Sequence, residues 1–590
     1  MERNPAAMPK MHSKRSTSLA IGVLAAGGLA ACLFFSGLSN HDFWLTDEPF
    51  VAEIGREMLA SGDWVVPRLN GEAFLEKPPL HYAQIALSFK AFGQTPFAAR
   101  LPSALAGLLT VCATYLLGWR LLGRRIALGG ALLLPTVYLF FYSSHYALVD
   151  ASLVLFVTAG FAALAYALEQ DSAPWALPAA YAAAALAFLA KGPVGPLFLA
   201  LGAGSFALAE RDWTFFRPRR HILGAALFSL LIAPWLVALW SNGGWTYYRA
   251  AFLDNTLGRA FALPAMVPGH DSPLAHQAPF YDYLGGLLGG FLPWTPLLLI
   301  GLAPAFSDIW RRLRGGGEGA RGCRGARFLA VSFAAGFLLL SLVRTKRSIY
   351  LEPLYPLLAL LVAWGLERCL RDRAIRDRWK SMLALQVAVL GLFSMAVPSG
   401  YLYLAGPMEG EWPATEAILL GGALMLVAMA ATAWSVRLLV LDRLDRLVNL
   451  LWVQAAAGFL AMAVLCFPLL EAQKSFAPFF RRACSIESAR GRCPVLLLNN
   501  ESYTGLAALN FHAVLPTYDA SLGGEADVIT EAASLGELGR APRRSLTMLA
   551  SQSIGGPGTE RALFLVHVDA PGPPMIQLKL ASAAGPPPKP

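Results

Sequence analysis

The chain has 590 residues, of which 56% are hydrophobic and 15% are charged, and its mean hydropathy is +0.51. Soluble domains carry about 25% charged residues, so this composition excludes an ordinary soluble protein and predicts a mostly α-helical, polytopic membrane protein. The formal net charge of +10 does not indicate nucleic-acid binding, because the basic residues lie in short loops between apolar runs, where they set the orientation of membrane spans.

About thirteen apolar runs follow one another along the chain, each close to the length that crosses about 30 Å of hydrocarbon as a helix. The predicted transmembrane helices lie at about 17–38, 101–119, 126–143, 148–168, 174–190, 193–209, 221–241, 285–306, 328–343, 349–366, 380–400, 415–436 and 448–468.

Loops rich in arginine alternate with loops that are long or acidic, and Arg120–Arg125, Arg217–Arg220 and Arg368–Arg378 are examples of the basic kind. Because basic loops stay in the cytoplasm, the alternation predicts a cytoplasmic N-terminus and a C-terminal part on the outer side. We therefore divide the chain into a membrane domain, residues 1–470, and a C-terminal domain, residues 471–590. The membrane domain contains two outer loops, residues 42–100 and 242–284.

The first outer loop, residues 42–100, crowds carboxylates and aromatic residues beside two predicted spans, and we expect it to form amphipathic helices. Asp47 and Glu48 follow the first span directly. A carboxylate near a low-dielectric boundary can act as a base. Thr46 or Asp47 before Pro49 is equally typical of a helix N-cap with proline in the first turn. Both interpretations stay open.

Two further motifs on the predicted outer side combine charge with a constrained position. Asp150 begins a later span, where an ionisable residue is costly and often functional, although it could also cap its helix. Glu76-Lys77-Pro78-Pro79 places a lysine on a stiff turn. Such a lysine suits an anionic lipid phosphate, and an ordinary surface turn explains it equally well.

A basic run, Arg344-Thr345-Lys346-Arg347, lies on the predicted outer side, where the positive-inside rule disfavours it. A phosphate-bearing substrate explains the run, with Tyr350 as an added hydrogen-bond donor. Anchoring to anionic lipid headgroups is the alternative.

The second outer loop, residues 242–284, is long, polar and aromatic, as a substrate lid is. Together with the acids, His145, His270 and His276 could bind a divalent metal. No ligand spacing supports such a site, so we predict neither a metal site nor another cofactor.

The C-terminal part, residues 471–590, changes character. Residues 494–498 and 561–568 have the pattern of short buried strands, which predicts a small α/β domain with a disordered tail after Ala570. If this part is extracytoplasmic, Cys484 and Cys493 could form a disulfide, and the sequence leaves this open.

Several motifs of the membrane domain resemble the superfamily of aminoarabinose transferases and protein O-mannosyltransferases. These proteins are integral-membrane glycosyltransferases of the GT-C fold that use polyprenyl-phosphate sugars. The matching segments are Asp47–Trp64, Pro67–Gly71, Phe74–Pro79, Ala99–Ser103, Ala190–Pro193, Gly290–Trp294 and Lys346–Pro356. The family commonly has arginine and tyrosine soon after its Asp-Glu pair, and Pro49 and Phe50 stand there in this chain.

The resemblance implies roles for five residues. Asp47 and Asp150 match the acidic catalytic positions. Lys77, Arg259 and Tyr350 match ligands of the lipid phosphate. We add four further substrate-binding candidates in the same cavity, which are Glu48, Glu76, Lys346 and Arg347.

The function implied by the resemblance is transfer of a sugar, with inversion, from a polyprenyl-phosphate sugar to a lipid A-like lipid, a protein or a glycan. We expect a monomer, embedded in the lipids of the bacterial inner membrane, that acts at the outer face. Two alternatives stay open. A transporter or flippase for an anionic lipid would show inverted repeats, and we find none in the sequence. An inactive glycan-lipid-binding relative is suggested by Pro49 and Phe50.

Overall fold

The computed structural model describes residues 8–44, 47–69, 71–168, 173–261, 277–314, 324–405 and 414–475, together with five strands after residue 494. Within these ranges the chain is mostly helical, as the composition predicts. The first helix, α1, spans Met8–Phe35, and the chain then enters the first loop.

The first loop folds into two helices joined by a small antiparallel hairpin. Pro49 lies in the first turn of the first of these helices, where a missing N–H costs nothing. That helix ends at Gly62, whose φ of 69° gives a left-handed cap bonded to Met58 O. The elements of the loop are α2 (Glu48–Ser61), β1 (Arg68–Leu69), β2 (Glu72–Ala73) and α3 (Leu80–Phe92).

Helix α2 packs its apolar face against α3, which confirms that the loop contains amphipathic helices. Ile54 and Met58 of α2 share one buried cluster with Tyr82 and Ile85 of α3. Gly55 lies at the contact, where a Cβ atom would stand 2.5 Å from Ile85 Cγ2, so the two helices approach closely. The same cluster includes Ala99 of α4 (Pro96–Leu122), so the loop packs on the membrane helices.

Helices of the membrane domain follow the order of the predicted spans. They are α4 (Pro96–Leu122), α5 (Arg124–Leu133), α6 (Tyr138–His145), α7 (Val149–Ala167), α8 (Ala176–Lys191), α9 (Val194–Glu210), α10 (Pro218–Tyr248), α11 (Arg259–Phe261), α12 (Asp282–Gly290), α13 (Leu298–Leu313), α14 (Arg324–Leu342), α15 (Tyr355–Arg371), α16 (Arg373–Arg378), α17 (Lys380–Ala405), α18 (Ala414–Val440), α19 (Leu444–Ala461) and α20 (Phe467–Lys474).

Eight helices of the described residues are long and apolar enough to cross a membrane, and up to ten spans result if each of two bent pairs counts as one. Three shorter apolar helices, at Leu19–Phe35, Ala176–Lys191 and Val194–Glu210, lie on the three remaining predicted spans. The structure therefore confirms a multi-pass helical protein, and the count of thirteen spans stays a prediction.

Two spans predicted as single helices are bent instead. The run 126–143 breaks into α5 and α6 at an angle of 65°, and the run 285–306 breaks into α12 and α13 at 114°. A 3-10 turn that contains Pro135 lies at the first break, and Pro293 lies at the second. Proline interrupts helical hydrogen bonding, which explains both bends.

Helix α15 and the 3-10 helix Ser348–Leu354 before it form the centre of the bundle. This segment is 94% buried, whereas the apolar stretches of α10 and α18 are only 11% buried. Apolar helices whose surface is uncovered are suited to face lipid. The centre of the protein is therefore set by α15, and the 3-10 helix carries Tyr350 and Glu352 into that centre.

The strands of the C-terminal part form one five-stranded mixed sheet in the order β3-β4-β6-β5-β7. Strand β6 pairs antiparallel with both neighbours, and the two outer pairings are parallel. The strands predicted at 494–498 and 561–568 are confirmed. Cys484 and Cys493 lie outside the described residues, so their disulfide stays a prediction. The α/β character of this part also stays a prediction. The strands are β3 (Val495–Leu496), β4 (Ala526–Glu531), β5 (Leu546–Ile554), β6 (Arg561–Val568) and β7 (Leu578–Leu580).

Candidate active site

Asp47 occupies the N-cap position of α2, but its side chain makes no capping hydrogen bond. The carboxylate instead forms an ion pair with the Arg347 guanidinium, a partner 300 positions further along the chain. Burial disfavours the charged form of Arg347, but the Asp47 carboxylate outweighs burial and raises the pKa of Arg347 above its usual range. The Asp47 side chain therefore pairs with a distant cation and does not cap its own helix.

Glu48, the neighbouring carboxylate, is enclosed by the protein. Arg100 donates to both of its oxygens, at 2.5 Å from Nε and 2.9 Å from Nη2. The amides of Trp44 and Ala147 donate to it as well, at 3.1 Å and 3.2 Å. Arg100 is 0% exposed and Glu48 is 2% exposed. These contacts fasten the start of the first loop to α4 and α7, and the substrate-binding role of Glu48 stays a prediction.

Asp150 lies in the first turn of α7, and the N-cap position belongs to Leu148. Its carboxylate forms an ion pair with Lys191, the last residue of α8. The Lys191 ammonium lies 4.5 Å from the centre of the Tyr350 ring, a cation–π contact. The Tyr350 amide also donates a hydrogen bond to the carbonyl oxygen of Arg347, at 2.9 Å. Tyr350 thus connects the Asp150 pair with the Asp47 pair.

Lys77 lies on the turn before α3, as predicted, and its ammonium is 3.7 Å from a carboxylate oxygen of Glu76. Both residues line a pocket that also contains Lys191. Apolar side chains from α10 and the π-helix Arg249–Gly258 form the opposite wall, and they include Leu239 and Phe252. The pocket therefore joins two lysines to an apolar surface.

The basic run splits into separate roles. Lys346 is 6% exposed and donates to the carbonyl oxygens of Ser341 and Val343, so its ammonium covers the C-terminal end of α14. Thr345 forms a bridge with Gln277 at the end of the second loop. Arg344 stays exposed, and its amide donates to Ala260 O at 3.0 Å. The run thus anchors the second loop beside the Asp47–Arg347 pair.

Arg259 is the first residue of α11. The carbonyl oxygen of the next residue, Ala260, accepts a hydrogen bond from the Arg344 amide. The backbone of α11 therefore lies beside the basic run. The phosphate-binding role of its side chain stays a prediction.

Pro49 and Phe50 replace an arginine and a tyrosine that the resemblance leads one to expect. Pro49 is buried in the first turn of α2, and the Phe50 ring packs at 6.0 Å from the Phe74 ring. The cation that accompanies Asp47 comes instead from Arg347. This chain therefore keeps a positive charge at its first acidic position, from a distant part of the sequence.

Three residues of the site were not among the predicted ones. Lys191 stands in the motif Ala190-Lys191-Gly192-Pro193, where a lysine at the end of an apolar helix was the available signal. Arg100 likewise begins a predicted span. Glu352 interrupts the apolar run that leads into α15 and is 0% exposed. An ionisable residue inside a predicted span or next to its end was the common signal in all three cases.

The described residues contain no group of three histidine, cysteine, aspartate or glutamate side chains that could hold a metal. His145 is buried in α6, and its Nε2 lies 3.0 Å from Ser36 O. His270 and His276 lie outside the described residues, so the metal question stays at the level of the sequence.

Comparison with known proteins bears on this arrangement. Residues 76–238 match the family described as dolichyl-phosphate-mannose-protein mannosyltransferase. The chain is 31% identical to the undecaprenyl phosphate-alpha-4-amino-4-deoxy-L-arabinose arabinosyl transferase of Pseudomonas paraeruginosa. The alignment extends over 437 residues, which are 72% of this chain and 71% of that protein. The enzyme of the same name in Pseudomonas aeruginosa is 32% identical over 68% of this chain and 67% of its own length.

Solved structures show the same fold. The crystal structure of ArnT from Cupriavidus metallidurans bound to undecaprenyl phosphate superposes with a TM-score of 0.68 at 22% identity, over 92% of this chain and 97% of that one. The archaeal oligosaccharyltransferase AglB from Archaeoglobus fulgidus matches with a TM-score of 0.50 at 13% identity, over 85% of this chain and 65% of that chain.

The helical bundle and the comparisons together identify an integral-membrane glycosyltransferase of the GT-C fold. The chain belongs to the superfamily of aminoarabinose transferases and protein O-mannosyltransferases. The family and the enzyme class predicted from the sequence are confirmed, and the protein is a multi-pass protein of the bacterial inner membrane.

Proposed function

We propose that the protein transfers a sugar from a polyprenyl-phosphate sugar to a lipid A-like lipid, a protein or a glycan, with inversion, at the outer face of the inner membrane. The names of the relatives support an undecaprenyl-phosphate-linked pentose as the first donor to test. The predicted topology supports the outer face, because the basic loops lie on the opposite side from the first loop.

The observation that carries the proposal is the joining of two carboxylate–cation pairs in one cluster. Asp47 with Arg347 and Asp150 with Lys191 come from four separate parts of the chain. The Tyr350 ring contacts the Lys191 ammonium, and the Tyr350 amide donates to the carbonyl oxygen of Arg347. Burying ions at the edge of a membrane is costly. Such a cluster is therefore better explained by chemistry on a charged substrate than by stability.

The donor phosphate would be bound where the lysine pocket meets this cluster. Lys77 and Lys191 line the pocket, and the apolar wall with Leu239 and Phe252 suits a polyprenyl chain. Arg259 and Tyr350 would add donors to the phosphate. Cations placed there would stabilise the negative charge that develops on the phosphate as it leaves the sugar.

In the transfer step an acceptor oxygen would form a bond to the anomeric carbon as the bond from that carbon to the phosphate oxygen breaks. Attack from the face opposite the phosphate gives inversion. With a hydroxyl acceptor, Asp47 would take the proton, and Asp150 is the second candidate. With a phosphate acceptor no proton need be removed, and Asp47 would position the acceptor. In both cases Arg347 would orient the Asp47 carboxylate through their ion pair.

Glu48, Glu76 and Lys346 would act around this centre. Glu76 sits beside Lys77 and can orient it toward the phosphate. Glu48 and Lys346 would shape the cavity from positions where their charged groups already have partners in the protein. We expect the enzyme to work as a monomer, since both pairs form within one chain.

The test is donor turnover by purified protein in detergent, with undecaprenyl-phosphate aminoarabinose as the donor and lipid A as the acceptor. We expect Asp47→Asn and Lys77→Ala to lower the rate by about 10²-fold or more. Glu72→Gln and Lys90→Ala are matched controls, because both residues are exposed in the same loop. Wild-type rates in Asp47→Asn and Lys77→Ala, with folded protein, would refute the assignment. Mass spectrometry of envelope glycolipids and glycoproteins, with and without the protein, identifies the acceptor.

A further inference from the structure

One buried carboxylate at the edge of the candidate active site has no role in the proposed transfer. Glu352 lies in the 3-10 helix Ser348–Leu354, two residues after Tyr350, and is 0% exposed. Neither of its oxygens has a hydrogen-bond donor in good geometry among the described residues. A glutamate in this state is unusual, because buried polar groups are nearly always hydrogen-bonded.

The polar groups around Glu352 come from several packed elements. Helix α7 contributes Asp150, α8 contributes Lys191, α6 contributes the Ser143 hydroxyl, and α15 contributes the Tyr355 phenol. Ser143 already donates to Phe140 O at 3.3 Å. Helices α12 and α14 also pack on the 3-10 helix, and within the described ranges they bring no charge to Glu352. Lys191 is therefore the one cation in this part of the structure that acts on Glu352.

The ion pair that acts on Glu352 balances without it, because Lys191 neutralises Asp150. Arg347 is likewise taken up by Asp47. His81, whose pKa burial lowers to about 4, is neutral. An ionised Glu352 would leave one uncompensated negative charge in a low-dielectric interior, which costs far more than a neutral acid there.

We propose that Glu352 is a third acidic residue of the site and that it carries a proton in the folded protein. Because it is then uncharged, Lys191 stays paired with Asp150. Loss of the proton would create a second carboxylate that competes for the same ammonium. Glu352 is thus a positioning residue, which acts on the reaction through Lys191 and Asp150. Its effect on transfer rests on the proposed function, whereas its protonation does not.

The first test measures stability alone. Folding takes up one proton if Glu352 stays protonated in the folded protein, because an unfolded glutamate ionises above about pH 4.3. Raising the pH by one unit then weakens folding of the wild type about tenfold relative to Glu352→Gln. We expect the unfolding of detergent-purified protein to show this divergence between pH 5.5 and pH 7.5. Glu72→Gln, at an exposed carboxylate, should show none. Parallel pH profiles for wild type and Glu352→Gln would overturn the proposal.

The second test measures transfer. Glu352→Gln keeps a neutral polar side chain, so we expect it to retain most of the wild-type kcat at neutral pH and to remain active at alkaline pH where the wild type declines. Glu352→Met is also uncharged but is apolar. If the absence of charge at this position is what preserves transfer, we expect Glu352→Met to remain active at alkaline pH as well. Loss of transfer at every pH in a folded Glu352→Gln variant would overturn the proposal. If neither variant folds, the wild-type stability decides, and a wild type that is not weakened between pH 5.5 and pH 7.5 would overturn the proposal. If no variant or wild-type protein transfers sugar, the proposed function fails, and the stability test still decides the protonation of Glu352.

Discussion

Replacing Arg100 with methionine should destabilise the protein strongly, because it removes the cation that holds the first loop on the membrane helices. Arg100 is 0% exposed and donates to both oxygens of Glu48. It also donates to the carbonyl oxygens of Leu38, His41 and Asp42, at 2.8 to 2.9 Å. Methionine keeps the apolar part of the side chain and loses all of these bonds.

The size of the effect follows from the burial of the pair. Removing one partner of a buried ion pair costs about 3–5 kcal/mol, since the other charge is left uncompensated. We therefore expect Arg100→Met to lower the free energy of unfolding by about that amount. Glu48→Gln should cost less, because the guanidinium keeps its three carbonyl acceptors and the rings of Phe43 and Tyr146, at 5.6 and 5.9 Å.

Adding Glu48→Gln to Arg100→Met removes the uncompensated carboxylate and should restore part of the loss, with a coupling energy of about 0.5–3 kcal/mol. Denaturant unfolding of the purified protein in detergent measures all three variants. A change of under about 0.5 kcal/mol in Arg100→Met, the size of an ordinary surface substitution, would refute the structural role. Lost transfer with unchanged stability in Glu48→Gln would support its predicted contact with substrate.

Two other predictions separate chemistry from stability. Arg347→Ala should lower transfer by about 10²-fold, because the charge that orients Asp47 is lost. It should lower the free energy of unfolding by under about 1 kcal/mol, because the ion pair is partly exposed. A destabilisation of several kcal/mol in the denaturant assay would contradict this reasoning. His81, with its pKa lowered to about 4 by burial, is neutral when folded and takes up a proton near pH 6.5 when unfolded, so stability should fall as the pH drops from about 6.5 toward 4. His81→Asn, which keeps a polar group toward Ser152, should reduce this acid sensitivity in thermal unfolding, and an unchanged profile would exclude His81 as its source.

Local features of the fold were predictable because neighbouring residues cause them. The start of α2 at Pro49, the turn that carries Lys77, and the strands around Val495 and Arg561 follow from short patterns. The bends at Pro135 and Pro293 also had a local signal. Hydropathy alone treats each of these runs as one span, whereas the proline within the run marks the place where the helix bends.

The pairing of charges could not be predicted in the same way. Asp47 and Arg347 are 300 positions apart, and Asp150 and Lys191 are 41 apart. The sequence indicates that each ion lies near a membrane boundary, but it does not indicate which opposite charge the packing brings to it. The sequence presents the basic run as a single feature, for a phosphate-bearing substrate or for anionic headgroups, whereas the structure places Lys346 on the end of α14 and Arg347 on Asp47.

This division explains how the chain can depart from its family at Phe50 and still hold a charged pair at Asp47. If the cation came from α2 itself, the local sequence would determine its position beside Asp47. Arg347 instead belongs to the segment that also contains Tyr350 and contacts the end of the second loop. The orientation of Asp47 thus depends on the packing of α14, the 3-10 helix and the end of the second loop. A displacement of that segment would move Arg347 and Tyr350 together, so the binding of substrate under the second loop and the alignment of Asp47 are expected to be coupled.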